Sequence, residues 1–428
     1  MFSEMSLKEL LAEPQDIDSM HIPQSIVIDI IFRLLFNEGN VSLSRFTEVL
    51  KISSRLIDSL LLWMQKEHLA EVSKANSELG RIGYVYTLTD AGEQRARDAF
   101  DRCLYIGPVP VAISAYIRGI ELQTQKRQRI NTASVKEAVR GLILPENFHR
   151  RVGPAVNNGK SLFLYGPPGN GKTTIAQAIG KLISGTDPIW IPYAVTAGGQ
   201  IIQIHDRLVH KAIPVEGGRT VEFGRVDMRW GLFKRPSVMV GGELKMESLD
   251  LRFDPLSKFY EAPLQMKANG GLFLIDDFGR QQIRPEDLLN RWIVPLENEI
   301  DFLRLTTGQT IVVPFRMFLV FSTNLDPMSL VDDAFLRRIQ MKVEVSSPDE
   351  KLFYQVFVQM CKYYNIAFDK EAFVYLLQRW YVQTGRSLQS VHPRDILRTI
   401  QAICEYDNVP TKLTPELIDE ACQIYFVT

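Results

Sequence analysis

One short stretch limits what this chain can become. Ser161-Leu162-Phe163-Leu164-Tyr165 is a continuous apolar run of strand length, the pattern of a strand buried on both faces. It passes directly into Gly166-Pro167-Pro168-Gly169-Asn170-Gly171-Lys172-Thr173-Thr174, and then into Ile175 to Ile179, which reads as helix. Strand, glycine-bearing loop and helix in immediate succession specify an α/β layer. The loop satisfies Gly-x-x-x-x-Gly-Lys-Thr in the context that pattern requires. Its glycines let backbone N–H groups curl round phosphates, and the helix N-terminus adds its positive dipole end. Lys172 is placed to reach β- and γ-phosphates, and Thr173 to hold magnesium.

Three later signals follow in the order phosphate chemistry needs. Gly270-Gly271-Leu272-Phe273-Leu274-Ile275-Asp276-Asp277-Phe278 is a second buried strand ending in two carboxylates. Open α/β sheets bind ligands at that end of their strands. Asp276 suits the magnesium shell, and Asp277 stands where a base would orient an attacking water. Phe318 to Ser322 forms a third buried strand, tipped by Thr323-Asn324, with Asn324 able to bond a γ-phosphate or the water. Asp332-Asp333-Ala334-Phe335-Leu336-Arg337-Arg338-Ile339 puts two arginines at a helix end, and a guanidinium fork suits a phosphoryl group in transfer. His392-Pro393-Arg394-Asp395 opens a helix where Arg394 can report nucleotide state. Each arginine taken alone would more often be a surface ion-pair partner.

These signals together resemble the AAA+ ATPases over roughly Leu142 to Ile424, with Walker A, Walker B, sensor 1, arginine-finger and sensor 2 positions all filled. The resemblance implies ATP and Mg2+, an α/β core over 142–345 and a C-terminal helical lid over 346–428. It also implies a ring, usually a hexamer, with ATP at the subunit interfaces. The family's usual Asp-Glu is here Asp276-Asp277, one methylene shorter, which implies slower hydrolysis or closer packing. Some relatives acting in DNA replication carry a similar Asp-Asp. Lys267 to Leu274 is similar to the same stretch of bacterial enhancer-binding activators, and the layout also resembles MoxR-like chaperones. An insertion over about 195–265, with Gly217-Gly218, Thr220 to Phe223 and Gly241-Gly242, and a hairpin from Glu299 to Pro314 follow the family's habit of decorating the pore. They would grip a protein or nucleic acid there, or simply pack subunits together.

Ahead of this core, residues 1–107 read as a small helical unit. Ile26 to Phe36 is apolar nearly all round, Ser42 or Ser44 can cap a second helix, and Ser53 to His68 carries Leu56, Leu60, Leu61 and Met64 on one face. Gly83 to Leu88 alternates like a strand and meets a capped helix start at Thr89. This resembles a winged helix-turn-helix. The unit holds 11 Lys and Arg against 16 Asp and Glu, so an acidic adaptor for protein docking is expected ahead of DNA binding. Gly107-Pro108-Val109-Pro110 opens an expected linker over 108–141, which includes the basic cluster Lys126 to Arg129.

The net charge of -1 gives the whole molecule no pull toward nucleic acid or acidic membranes. Cys103, Cys361, Cys404 and Cys422 lie far apart without metal-ligand spacing, which fits a reducing cytoplasm. No apolar run approaches membrane-spanning length. The expectation is therefore a cytoplasmic ATP hydrolase that remodels a protein partner. The alternatives are a DNA-transaction ATPase and a nucleotide-gated assembly scaffold.

Overall fold

A computed structural model describes residues 5–74, 83–125, 130–145, 148–158, 160–214, 220–221, 224–330, 336–339 and 341–426. The apolar run at 161–165 becomes the strand β1 (Ser161–Tyr165), and the loop after it leads into the helix α1 (Lys172–Ser184). β1 lies inside a five-stranded parallel sheet with β2 (Ser237–Val240), β3 (Leu272–Ile275), β4 (Phe318–Thr323) and β5 (Met341–Glu344). The spatial order is β2-β3-β4-β1-β5. β3, β4 and β1 are almost wholly apolar because each is paired on both sides and covered on both faces. One face carries Phe163, Phe273, Phe321 and Trp292 of the helix α2 (Pro285–Asn298), and the other packs Leu162, Leu164 and Val320 on Ile175 and Ile179 of α1.

The sheet order corrects the insertion expected over 195–265. Ser237–Val240 falls inside that range, yet it is a core strand whose Val238 and Val240 pair in parallel with Phe273 and Ile275. Four residues with Ser237 and Met239 exposed give too short an apolar signature, since an edge strand is covered less than a central one.

The inserted residues build a second unit with its own core. Its sheet runs Arg252–Asp254, Phe259–Glu261, Gln200–Gln203, Ala194–Ala197 and Val111–Ala112 in spatial order. The expected hairpin forms from Ile300–Arg304 and Thr310–Pro314. Its inner side chains Leu303, Ile311 and Val313 are buried in this second core, while Phe302 and Val312 face outward. Gly217, Gly218, Glu222 and Phe223 lie outside the described residues.

Residues 108–141 do not behave as a linker. Val109 is fully buried and donates its N–H to Leu50 O, and Val111–Ala112 joins the second sheet. The helix Ile113–Gln125 then buries Tyr116 and Ile120 in the second core. Glycine and proline mark a turn here, but the apolar residues between them decide its burial. The basic cluster at 126–129 lies outside the described residues.

The N-terminal unit forms helices at Gln24–Glu38, Leu43–Leu50, Ser54–Lys66 and Asp90–Arg102 around a three-stranded antiparallel sheet. Ser42 accepts from Arg45 N–H and Thr89 from Gly92 N–H, as their positions before apolar periodicity predict. The C-terminal unit packs α3 (Glu350–Tyr363), α4 (Lys370–Leu377), α5 (His392–Tyr406) and α6 (Pro415–Tyr425) around Phe353, Phe357, Leu376 and Ile400. Among the described residues no helix is long and apolar enough to cross a membrane.

Candidate active site

The loop after β1 owes its path to two close approaches. Gly166 has φ +135°, and a Cβ there would stand 2.4 Å from Val345 O, just past the end of β5. Gly169 has φ +74°, and a Cβ there would meet Gln389 and Val391 of the C-terminal unit within 2.8 Å. Gly171 then starts α1 without any side-chain cap, so no side chain competes for the amides of the first turn. Inside this curl the Lys172 ammonium donates to Gly166 O at 2.8 Å and Pro167 O at 2.7 Å. Lys172 is only 6% exposed. Burial lowers its pKa against the opposing pull of Asp277 and Asp276.

Those two carboxylates end β3, next to β2 and β4. Asp276 accepts the Asp277 N–H at 3.1 Å, and its own N–H donates to Val240 O. Asp277 turns left-handed at φ +49°, a conformation aspartate tolerates better than most residues. Its Oδ1 accepts from Asn324 Nδ2 at 3.0 Å, so the tips of β3 and β4 share one hydrogen bond. The sequence placed both residues in one site without indicating that they touch.

A cavity of about 420 Å³ joins these parts. Pro168, Gly169, Asn170, Gly171, Lys172, Thr173 and Thr174 line it together with Asp277, Ser322, Asn324 and Arg394. Its size and its mix of apolar and polar walls suit a nucleotide-sized ligand. Arg394 comes from α5, where its Nε donates to Asp395 Oδ1 at 2.8 Å, and this bond raises the guanidinium pKa. Tyr425 OH donates to the other carboxylate oxygen at 3.0 Å.

Not every expected residue reaches the cavity. Gly166 and Pro167 lie behind it and hold Lys172 through their carbonyls. Asp276 is half-buried beside the lining. Arg337 and Arg338 belong to a separate surface, where Arg338 Nε donates to Glu297 at 2.7 Å and Arg337 is exposed with no ion pair among the described residues. Asp332 to Phe335 lie outside the described residues. Among the described residues no group of three or more His, Cys, Asp or Glu could hold a metal. Magnesium fits this site all the same, because it is commonly held by one or two protein oxygens with phosphates and water completing the shell. Thr173, which lines the cavity, and Asp276, beside the lining at the end of β3, would supply those oxygens.

Other participants escaped the sequence reading. Gly141, Leu142, Ile143 and Leu144 line one part of the cavity, with Val356, Gln359 and Met360 of α3 beside them. The signal was present in α3: Phe353, Phe357 and Cys361 mark the core face, leaving Val356, Gln359 and Met360 as a second face. The C-terminal unit also fastens to the loop itself. Val391 N–H donates to Gly169 O at 2.9 Å, and Ser390 N–H donates to Asn170 Oδ1 at 3.1 Å. Asn170 Nδ2 donates to Ser347 Oγ at 3.3 Å, and the residue is 4% exposed.

Comparison with known proteins gives partial likenesses. A family model described as "Domain of unknown function (DUF8689)" matches residues 349–424, the C-terminal helices. A vesicle-fusing ATPase of Dictyostelium discoideum is 43% identical over 53 residues, 12% of this chain and 7% of that protein. Among solved structures, NtrX from Brucella abortus aligns at 14% identity and a TM-score of 0.40, covering 68% of this chain and 57% of that one. A Thermotoga maritima RuvB variant aligns at 13% identity and a TM-score of 0.36, covering 69% of this chain and 70% of that one. The chain thus spans little more than half of the NtrX structure and a small fraction of the curated relative.

Proposed function

We propose that this chain is an ATP hydrolase of the AAA+ kind that couples nucleotide turnover to remodelling of a protein partner. The observation that carries the reading is the single cavity shared by Lys172, the Asn324–Asp277 pair and Arg394. Lys172 gives up its two carbonyl partners to the β- and γ-phosphates, exchanging neutral acceptors for charged ones. Backbone amides of Gly169 to Thr173 surround the same oxygens. Asp277, held by Asn324, accepts a proton from the attacking water, and Asn324 orients that water or the γ-phosphate. Magnesium, when bound through Thr173 and Asp276, neutralises charge on the phosphates. Arg394 reaches the phosphates from the C-terminal unit, which acts as the lid.

Arg337 is the better finger of the two arginines. It is exposed and has no ion pair among the described residues, whereas Arg338 is paired to Glu297, so Arg337 is the one proposed to reach a nucleotide on a neighbouring subunit. That role requires self-assembly into a ring, a hexamer by family resemblance. The acidic N-terminal unit is the proposed protein adaptor, and the outward Phe302 and Val312 of the hairpin are the proposed pore contacts. A second reading, a DNA-transaction ATPase, is favoured by the helices and small three-stranded sheet of the N-terminal unit, which resemble a winged helix-turn-helix. Steeply salt-dependent DNA binding would select it.

The test is ATP turnover against protein concentration, with sizing in ATP, for wild type and Asp277→Asn. We expect cooperative turnover by a large assembly, and a drop of about a hundredfold or more in the variant with ATP binding kept. Tight ATP binding with negligible wild-type turnover would instead identify a nucleotide-gated scaffold.

A further inference from the structure

The cavity lining that comes from neither the phosphate loop, the strand ends nor Arg394 is mostly apolar. Leu142, Ile143 and Leu144 supply it from one side, and Val356 and Met360 from α3. Gln359 is the polar side chain that α3 adds to this part of the wall, and Ser390 contributes another. Its Nε2 donates to Gly141 O at 3.1 Å. A carbonyl oxygen can only accept, so that bond settles which end of the amide is nitrogen. Oε1 has no hydrogen-bond partner among the described residues. Gln359 is half-buried, so this acceptor faces solvent as well as the apolar wall, and a ligand that covers it is favoured when it brings an N–H to replace water.

We propose that Gln359 selects the base of the bound nucleotide, its Oε1 accepting from the exocyclic 6-amino group of adenine. The inference rests on the nucleotide reading above and adds its specificity. A 6-oxo purine such as guanine or hypoxanthine brings an acceptor to the same place, so two oxygens face each other unpaired. Turning the amide over would offer Nε2 instead, at the loss of the bond to Gly141 O. A site built to pair one polar group discriminates against an analogue that lacks it far better than an apolar wall does. Gln359 touches only the base in this arrangement, so the phosphate end is unaffected by its replacement.

The experiment titrates the full chain with ATP, inosine triphosphate and GTP in magnesium, for wild type, Gln359→Leu and Gln359→Glu. Wild type is expected to prefer ATP over inosine triphosphate by about ten- to a hundredfold. Gln359→Leu should bring that ratio to within about threefold, chiefly by weakening ATP, because a leucine wall distinguishes the two bases poorly. Gln359→Glu keeps acceptor oxygens and should keep a preference for ATP. In wild type alone, N6,N6-dimethyl-ATP should bind about tenfold or more weakly than ATP, which tests the proposal even where a variant does not fold. An unchanged ratio in a folded Gln359→Leu, or full affinity for the dimethyl analogue, overturns the assignment and leaves the phosphate site standing. Failure of wild type to bind any of the three triphosphates overturns the nucleotide reading itself.

Discussion

At the scale of single residues, Lys172 carries the heaviest duty. It is a nearly buried ammonium whose visible partners are two neutral carbonyls, and burial has already lowered its pKa. Such a group gains strongly from a charged acceptor. Lys172→Ala should therefore weaken ATP binding by about a hundredfold or more, read by calorimetric titration, since charge-assisted bonds contribute about 1.5–3 kcal/mol each. Unchanged affinity would remove the loop from the phosphate site. Lys172 was legible in the sequence because a phosphate loop is local: glycines, lysine and threonine lie within nine residues. The periodicity of α3 marks Gln359 as part of a second face, but what that face covers, and that Ser390 joins it, follows only from packing of a helical unit beginning some 180 residues later.

At the scale of elements, the same contrast separates strands from their insertions. β1, β3 and β4 announced themselves as apolar runs because the sheet buries both their faces. β2 did not, being a four-residue edge strand, and its absence displaced the expected insertion boundary. The junction between the phosphate loop and α5 was equally hidden. Asn170 fits the loop pattern as an arbitrary residue, yet its amide bonds Ser390 and Ser347 at once. Asn170→Ala leaves the Ser390 N–H without that acceptor and should cost about 1–3 kcal/mol in docking of the C-terminal unit. Hydrogen exchange checks this: amides at Gln389 to Val391 should lose protection while those in the middle of α3 and α5 keep theirs. Equal protection in variant and wild type would mean the bonds contribute nothing to docking.

At the scale of the whole molecule, the informative fact is that Arg337 is not part of the lining of its own cavity. If it completes a neighbour's site, its loss and the loss of Asp277 fall on different subunits. Arg337→Ala should reduce turnover by about a thousandfold with ATP binding kept. Arg338→Ala should change turnover little, because its partly exposed pair with Glu297 contributes less than about 1 kcal/mol. Mixing Arg337→Ala with Asp277→Asn in equal amounts should restore about a quarter of wild-type turnover, since each contact in a head-to-tail ring has a one-in-four chance of joining two intact halves. No recovery on mixing, with assemblies shown to exchange subunits, would place Arg337 outside the neighbour's site.

The bond from Val391 to Gly169 has a consequence for timing. The loop proposed to hold the phosphates is tied to the same helical unit whose Val356 and Met360 help wall the cavity. A hinge that swings this unit away must either drag the loop along or break its two bonds first. In either case the grip on the phosphates loosens in the same motion that uncovers the cavity. On the proposed reading, departure of spent nucleotide would then be a single gated event, with the pace of the cycle set by how often that gate opens.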